Sequence, residues 1–277
     1  MLLMPIKPLF GVKTQEKADI AVIGIPYDSS QSFFSGAKFG PTAIRLAANT
    51  LEEYSFIFRK DVRDLSISDW GDIEVSIGDF METKKRVFDV LRGINAEKYL
   101  FLGGDHSVTI ITVDFLKDKI KRYVHVDAHA DFEDEYLGNK FSHDSTLRRV
   151  GEMIGFEKIT LLGFRSASIK ELKALEDFGV ETYSIFDILD DEEILSNVLK
   201  KADYLSIDID VFEPSYAPEV GNPEPFGFTP IQFIKHIREI SPRYVDIVEV
   251  TTTKMESITA ILAATIAREI LIAMNKS

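Results

Sequence analysis

Cysteine is absent from this 277-residue chain. Its absence excludes disulfide bonds, metal sites built on thiolates, and any reaction that needs a Cys nucleophile. Positive charge is scarce as well, since 32 Lys and Arg residues are outnumbered by 45 Asp and Glu and the net charge is −13. No basic run interrupts this excess of acid, so we expect no nucleic-acid partner.

Long apolar runs are missing too. The apolar N-terminus is broken by prolines at positions 5 and 8 and lacks the layout of a signal peptide. The longest apolar stretch, residues 258–274, contains Arg268 and Glu269 and is too short to span a bilayer comfortably. We therefore expect a cytoplasmic protein without a membrane partner. Because no repeat, low-complexity segment or linker interrupts the chain, we predict one domain over residues 1–277.

Short β-rich runs alternate with helix-like segments. The predicted strands are 19–26, 98–103, 122–127, 158–163, 180–184, 203–208 and 243–250, and the predicted helices are 79–92, 168–178, 190–201, 229–240 and 256–274, with a further helix start at 40–45. Near-continuous apolar strands are typical of a sheet covered on both faces. The alternation predicts an α/β fold with a mostly parallel sheet. Two long loops, 25–39 and 212–228, are candidates for function.

Asp and His residues gather at the ends of three predicted strands. They are His106, then Asp127, His129 and Asp131, then Asp208 and Asp210. Because ligands bind beyond the carboxyl ends of parallel strands, we expect these side chains to lie close together. A single Asp at a strand end is more often a helix cap than a ligand, so only the joint occurrence carries weight.

The composition of this set favours metal ions. Four buried carboxylates without cations would repel one another, and divalent ions remove that cost. Two imidazoles and four carboxylates without sulfur suit Mn²⁺ best, with Mg²⁺, Co²⁺ and Zn²⁺ left open. A metal pair lowers the pKa of bound water, which points to a hydrolase. A two-metal phosphoesterase uses similar ligands but needs cationic residues for phosphate, whereas the motif neighbourhoods here are acidic.

The three motifs, in this order, resemble the ureohydrolase family of arginases and agmatinases. The resemblance covers nearly the whole chain, including Gly-Ile-Pro-Tyr-Asp at 24–28, Gly-Pro-Thr-Ala-Ile-Arg at 40–45, Gly-Phe-Arg-Ser at 163–166 and Val-Glu-Val at 248–250. The flanking segments are more similar to agmatinases than to animal arginases. The resemblance implies a three-layer α/β/α fold around a mostly parallel eight-stranded sheet, two Mn²⁺ ions per subunit and a homo-oligomer, either a trimer or a hexamer.

The resemblance also assigns roles by position. It implies one metal held by His106 and Asp131, a second held by His129 and Asp210, and bridging carboxylates from Asp127 and Asp208. It further implies that a hydroxide between the metals attacks the guanidinium carbon of the substrate. Asp131 would stabilise the tetrahedral intermediate and pass a proton to the leaving amine.

Two further residues match family positions. His143 occupies the place of the proton-shuttling His, and a neutral imidazole can move protons near neutral pH. Glu249 matches the Glu that pairs with the substrate guanidinium through a charge-assisted contact. The simpler interpretations are a loop His at a helix start and a strand-end Glu that faces solvent. His125 has the spacing of a ligand, but the family does not use its position, so we expect it in the core behind the ligands.

The chain departs from the family pattern around the mouth of the predicted pocket. Asp144-Ser145-Thr146 replaces the usual Gly-Thr-Pro, and further departures occur at Phe34-Ser35, Glu213-Pro214, Glu219 and residues 251–255. We predict an agmatinase that acts on a small cationic guanidino substrate and converts agmatine and water into putrescine and urea for polyamine synthesis. The alternatives are an arginase, a guanidinobutyrase, a guanidinopropionase and a non-catalytic binding protein of the same fold. No donor cluster for a substrate carboxylate is evident, and Asp144 would repel one.

Overall fold

The computed structural model describes residues 2–4, 6–12, 15, 17–254 and 256–275. The strands are β1 (Leu3–Met4), β2 (Ile20–Ile25), β3 (Tyr54–Ser55), β4 (Lys60–Asp61), β5 (Ile67–Ile73), β6 (Lys98–Gly103), β7 (Tyr123–Val126), β8 (Ile159–Phe164), β9 (Glu181–Ser184), β10 (Tyr204–Asp208) and β11 (Tyr244–Val248). The helices are α1 (Gly40–Ala48), α2 (Phe80–Leu91), α3 (Val108–Leu116), α4 (Thr146–Ile154), α5 (Ile169–Asp177), α6 (Ile185–Asp190), α7 (Glu193–Leu199), α8 (Pro230–Ile237) and α9 (Ile258–Met274).

The central sheet has the strand order β1-β5-β2-β6-β11-β10-β7-β8-β9. Eight of these strands run parallel, and only β1 pairs antiparallel, with β5. The predicted parallel α/β sheet is therefore confirmed, but the count of eight strands is one short of the nine in the described residues. The ninth strand, β1, has two residues, which is too short to show a strand pattern.

Helices cover both faces of the sheet, which confirms the three-layer α/β/α arrangement. Along β2, Ile20 and Val22 pack into one apolar cluster with α1, α7, α8 and α9, whereas Ala21 and Ile23 pack into the other with α2, α3 and α4. This division follows from the strand geometry, because successive side chains point to opposite faces. Every residue of β2 is buried, as expected for a strand covered twice.

A buried ion pair explains why strand β5 was not predicted. Its sequence, Ile-Ser-Asp-Trp-Gly-Asp-Ile, contains two acids and a glycine and lacks the apolar run of its neighbours. In the fold, the guanidinium of Arg45 on α1 donates to both oxygens of Asp69, at 2.8 and 2.9 Å, and also pairs with Asp72. Arg45 and Asp69 are fully buried at their side chains, so the pairing neutralises charge that could not otherwise lie inside.

The predicted helices are found with small shifts at their ends. Ser168 and Glu171 form a reciprocal capping box at the start of α5, and Ser257 caps α9 by accepting a hydrogen bond from the backbone of Ala260. The predicted helix 190–201 is realised as the shorter α7, directly after α6. Within the described ranges, no helix combines the length and apolarity needed to cross a membrane.

The two predicted loops lie at the carboxyl edge of the sheet. Residues 26–36 leave β2 without regular structure and lead into a short turn at Ala37–Phe39 before α1. Residues 212–228 are irregular and are closed by a single bridge between Phe212 and Phe228. Both segments border the pocket described next, so the long-loop prediction is confirmed for their structure.

Candidate metal centre

Four neighbouring strands end at one place. In the sheet, β6, β11, β10 and β7 lie side by side and run in the same direction. His106 follows β6, Glu249 follows β11, Asp208 ends β10 and Asp127 follows β7. The strand order thus brings together residues that are up to 143 positions apart, such as His106 and Glu249, whose contact is a hydrogen bond.

Three carboxylates converge on one nitrogen of His106. Its Nδ1 lies 2.9 Å from Asp127 Oδ2, 3.1 Å from Asp208 Oδ2 and 3.3 Å from Asp131 Oδ2. His106 Nδ1 and Asp127 Oδ2 are buried, and neither has a hydrogen-bond partner among the residues described. Buried polar atoms left in this state are costly, and a cation held between them removes the cost.

A second group shares Asp127 with the first. His129 Nδ1 lies 2.9 Å from Asp210 Oδ2 and 3.6 Å from Asp127 Oδ1. Asp127 therefore turns one oxygen toward His106 and the other toward His129, and the donor atoms of Asp127, His129 and Asp210 lie close enough to hold one ion. This placement is what a carboxylate that bridges two ions requires.

The backbone fixes the carboxylates of this cluster. Asp127 Oδ1 accepts a hydrogen bond from the backbone N–H of His129 at 2.7 Å, and Asp208 Oδ1 accepts one from Asp210 at 2.8 Å. Asp210 Oδ1 accepts from the backbone of Ala128 at 3.1 Å. In each of the three Asp residues the Oδ2 atom is left to face a His nitrogen.

Burial and mutual repulsion set the charges of the cluster. Burial raises the pKa of Asp131 and of Asp208 well above the usual range, and the nearby charge of Asp127 adds to both shifts. Burial would also lower the pKa of His106 and of His129, but the surrounding carboxylates outweigh it and raise both. These shifts show that the cluster concentrates more negative charge than its buried surroundings can stabilise. Divalent ions would balance that charge, so the donor set and its unpartnered atoms fit a pair of such ions.

A buried polar chain orients His106 from behind. The Nε2 atom of His106 lies 3.0 Å from Ser206 Oγ, and Ser206 in turn donates to Asp246 Oδ1 at 2.6 Å. The hydroxyl of Tyr204 donates to the other oxygen of Asp246, also at 2.6 Å. This chain keeps the proton of His106 on Nε2 and leaves Nδ1 for the cluster. Sequence reasoning missed Ser206 and Asp246, although polar residues inside apolar strands were a usable signal.

His125 lies in the core, against the cluster. Its ring stacks on that of His106 with centroids 4.4 Å apart, and its Nε2 atom lies 3.0 Å from Asp127 Oδ2. Its Nδ1 atom is 2.7 Å from the hydroxyl of Tyr123. Burial lowers the pKa of His125, and the neighbouring His106 lowers it further. A neutral imidazole is thus placed directly behind Asp127.

His143 lines the same pocket as the cluster and lies on a short turn at His143–Ser145 before α4. Its Nε2 atom lies 2.9 Å from Ser32 Oγ and its Nδ1 atom 3.0 Å from Ser30 Oγ. Burial lowers the pKa of this imidazole, and the negative charge of Asp105 opposes that shift only in part. Sequence reasoning missed both serines, because they belong to the irregular segment 26–36.

Glu249 is a buried member of the pocket lining. Only 5% of the residue is exposed, so the interpretation of a solvent-facing Glu is wrong. Its Oε1 atom accepts a hydrogen bond from the backbone of His106 at 2.7 Å, and Oε2 accepts one from the side chain of Gln31 at 2.5 Å. Burial raises the pKa of Glu249 well above its usual value, and the charge of Asp105 contributes. Its φ of 66° is a rare conformation for a residue other than glycine.

One pocket opens beside the cluster, His143 and Glu249. It is lined by Gln31, Ser32, His106, His129, Asp131, His143, Asp144, Asp208, Asp210, Gly221, Asn222 and Glu249. Five of these residues are acidic, and within the described chain no Lys or Arg contributes to the lining. The pocket is therefore suited to metal ions and a cationic ligand.

Comparison with known proteins agrees with this geometry. The profile of the Arginase family matches residues 18–273. The chain is 35% identical to an agmatinase of Pyrococcus horikoshii, with 89% of each chain covered, and 34% identical to an N(1)-aminopropylagmatine ureohydrolase of Thermococcus kodakarensis, with 92% of this chain and 90% of that one covered. The crystal structure of an agmatine ureohydrolase of Thermoplasma volcanium superimposes with a TM-score of 0.86 and 32% identity, over 98% of this chain and 95% of the other.

Proposed function

The chain belongs to the arginase family, and on that basis we propose that it is an agmatinase, which hydrolyses agmatine to putrescine and urea. The coarser description, an agmatinase-like ureohydrolase, follows from its relatives. What we propose beyond this description is that the guanidine substrate is agmatine. The product would then be putrescine, which is used for polyamine synthesis.

The acidic pocket lining is the observation that supports agmatine as the substrate. Of the acidic side chains that line the pocket, Asp131, Asp208 and Asp210 would be balanced by bound metal. Asp144 and Glu249 then face the substrate in a space that no Lys or Arg of the described chain lines. Arginine and the guanidino acids bring a carboxylate, which would be desolvated beside these acids without a cationic partner, at a cost of several kcal/mol. Agmatine brings a guanidinium at one end and an ammonium at the other. Both charges are complementary to this lining.

Asp144 is a suitable partner for the second cation. Its carboxylate lines the pocket and accepts no hydrogen bond from any residue that the structure describes. Burial raises the pKa of Asp144, and the charges of His143 and His129 offset that shift only in part. A substrate ammonium would supply a partner for this carboxylate.

We propose two Mn²⁺ ions as the cofactor. Imidazole nitrogen and carboxylate oxygen without sulfur are ligands that Mn²⁺ accepts readily. His106, Asp127, Asp131 and Asp208 would hold one ion, and His129, Asp210 and the same Asp127 and Asp208 the other. Bound metal would supply a hydroxide at neutral pH by lowering the pKa of a coordinated water molecule.

Three residues of the chain would then act on the substrate. Glu249, a buried residue of the pocket lining, pairs with the guanidinium and fixes its plane. Asp131, whose carboxylate lies 3.3 Å from His106 Nδ1, is placed to pass a proton to the leaving amine. His143, kept neutral by its lowered pKa, accepts and delivers protons between this site and the solvent.

A longer polyamine substrate is the second candidate. One relative at 34% identity is an N(1)-aminopropylagmatine ureohydrolase. Its substrate carries the same guanidinium and a further amine, and the acidic lining is equally compatible with an additional positive charge. The reaction at the guanidinium carbon would be unchanged.

A urea-release assay on the Mn²⁺-loaded protein tests both candidates. The panel is agmatine, N(1)-aminopropylagmatine, arginine, 4-guanidinobutyrate and 3-guanidinopropionate. We expect kcat/KM to be highest for agmatine, or for its aminopropyl derivative if the second candidate holds. Preference for a guanidino acid would overturn the substrate assignment. No urea from any of the five compounds would overturn the enzymatic function.

A further inference from the structure

We propose that Gln31 is a substrate-positioning residue, which orients Glu249 through its amide N–H and offers its amide oxygen to the bound guanidinium. Gly221 is the matching position that leaves room for this side chain. The inference rests on the proposed function, because it concerns the way in which that site holds a guanidine.

The contact between Gln31 and Glu249 is short and lies in the pocket wall. Gln31 Nε2 donates to Glu249 Oε2 at 2.5 Å, while the backbone of His106 donates to Oε1 at 2.7 Å. One donor on each oxygen holds the carboxylate in one orientation. Each oxygen can accept a second hydrogen bond, so Glu249 still has capacity for the N–H groups of a guanidinium.

Gly221 makes the position of Gln31 possible. A Cβ atom at residue 221 would lie 2.2 Å from Gln31 Oε1 and 3.1 Å from Glu249 Oε2. Contacts of this length require the Gln31 side chain to move. The amide oxygen of Gln31 therefore lies over bare backbone, and both residues line the pocket.

The segment that carries Gln31 is held from two sides. The backbone N–H groups of Ser29 and Ser30 donate to Asp105 Oδ2, at 2.8 and 3.3 Å. Ser30 and Ser32, the two neighbours of Gln31, both lie within 3.0 Å of ring nitrogens of His143. One short stretch of chain thus contacts the predicted proton shuttle and the predicted guanidinium carboxylate at once.

The chemistry of the ligand explains why an amide is useful at this place. A guanidinium presents five N–H donors in a plane, more than one carboxylate can accept. The Gln31 oxygen adds a neutral acceptor beside Glu249 without adding a further negative charge. An ammonium has no such planar fork, so the pair favours the guanidinium end of agmatine at this end of the pocket.

The test uses substitutions that remove the amide or displace it. Gln31→Met keeps the length of the side chain without its hydrogen bonds, Gln31→Asn keeps the amide but is too short to reach Glu249, and Gly221→Ala displaces the native Gln31. For each we expect kcat/KM for agmatine to fall by about 10- to 100-fold, the factor that a hydrogen bond to a charged group contributes. Competitive inhibition by guanidinium ion should weaken by a similar factor. Bound Mn²⁺ should stay as in the wild type.

The double variant Gln31→Met/Gly221→Ala decides the mechanism. Because both changes remove the same contact, the double variant should have a kcat/KM no lower than that of the less active single variant. Gln15→Met, at an exposed Gln, is the matched control and should retain the wild-type rate.

Several outcomes would overturn the inference while the proposed function stands. They are an active wild type with unchanged kcat/KM in Gln31→Met, multiplied losses in the double variant, and losses accompanied by lower Mn²⁺ content. If the wild type itself releases no urea from any guanidine of the panel, the proposed function fails, and this result is separate from all of the others.

Discussion

The two oxygen atoms of each cluster carboxylate make different contacts. In Asp127, Asp208 and Asp210, Oδ1 accepts a backbone N–H and Oδ2 faces an imidazole. The backbone therefore fixes the position of each acid, while Oδ2 remains for a cation and Oδ1 of Asp127 also faces His129. Replacing one oxygen of such a carboxylate should therefore lower metal binding rather than the stability of the fold.

Asp127→Asn is the sharpest test of this arrangement. The amide replaces one of the two oxygens that face His106 and His129, so it cannot serve both groups. We expect bound Mn²⁺ to fall from two ions to at most one, and urea release to fall by more than about 100-fold. Metal analysis and the urea assay measure both effects. Full activity with two ions bound would contradict the ligand assignment, and Asp118→Asn, at an exposed site, serves as the control.

His143 should give the enzyme an acid limb in its pH profile. Burial lowers the pKa of His143 below the usual value of about 6.5, so the imidazole is neutral at pH 7. As the pH falls through this lowered pKa, the ring gains a proton and can no longer accept one. We expect kcat to fall on that side, and His143→Asn to lose about 10²- to 10⁴-fold in kcat.

The acid limb attributed to His143 should also disappear in the Asn variant. The measurement is kcat against pH for both proteins, at saturating Mn²⁺. An unchanged acid limb in His143→Asn would assign that ionisation to another group.

Asp144 should discriminate between substrate tails. In Asp144→Asn the attraction for an ammonium and the repulsion of a carboxylate are both lost. We expect the ratio of kcat/KM for agmatine to that for 4-guanidinobutyrate to fall by about 10-fold, the effect of about 1.4 kcal/mol. Butylguanidine, with an uncharged tail, should be hydrolysed at a similar rate by both proteins. A constant ratio would remove Asp144 from substrate selection.

At the scale of elements, the end of strand β8 supports the loop that borders the pocket. The guanidinium of Arg165 donates to the carbonyl oxygens of Asp210 at 2.9 Å, Glu224 at 2.8 Å and Pro225 at 2.8 Å. An irregular segment has no ladder partners for its carbonyl groups, so one planar cation with five donors replaces them. Arg165 of the Gly-Phe-Arg-Ser motif therefore supports the backbone of Asp210, in addition to belonging to a sequence motif of the family.

Arg165→Met should loosen this support. We expect the free energy of unfolding to fall by about 2–4 kcal/mol, because several carbonyl groups lose their donor. The Mn²⁺ affinity should weaken too, since Asp210 is among the released residues. Thermal unfolding and metal titration measure these effects, with Arg92→Met at an exposed surface ion pair as the control. A variant with wild-type melting and wild-type affinity would contradict the supporting role.

At the scale of the whole molecule, buried charge links stability to metal. Asp127, Asp131, Asp208 and Asp210 are all at most 4% exposed, and without cations two of them have strongly raised pKa values. Ions that bind only the folded chain stabilise it by mass action. The enzyme is thus expected to be most stable as the metal-loaded form.

Chelation is the corresponding experiment. Treatment with EDTA should abolish urea release and lower the melting temperature, and added Mn²⁺ should restore both in a concentration-dependent way. Mg²⁺ at the same concentration should restore less. Asp127→Asn should show a smaller shift on addition of Mn²⁺. A melting temperature that does not respond to EDTA or Mn²⁺ would contradict the buried two-ion centre. The implied trimer or hexamer stays a prediction, which light scattering would test.

The amino-acid sequence by itself determined the fold class and the candidate residues of the cluster. Apolar runs and helical periods are local properties, so strands such as 98–103 and the long loops could be recognised without knowledge of their neighbours. The candidate ligands could likewise be recognised from the sequence, because their Asp and His residues occur in three motifs whose order along the chain matches the family. The roles of these residues at the metals stay predictions, although the fold brings the side chains together.

The tertiary structure alone decided which residues surround the cluster. Ser206 and Asp246 orient His106, Arg165 supports Asp210, and Gln31 contacts Glu249 across 218 positions of the chain. These contacts depend on the order of the strands in the sheet and on the course of irregular loops. Neither is encoded in a local period, because strand neighbours are selected by packing over the whole molecule. For the same reason β5 escaped prediction, since its acids become acceptable inside only once Arg45 of α1 is packed against them.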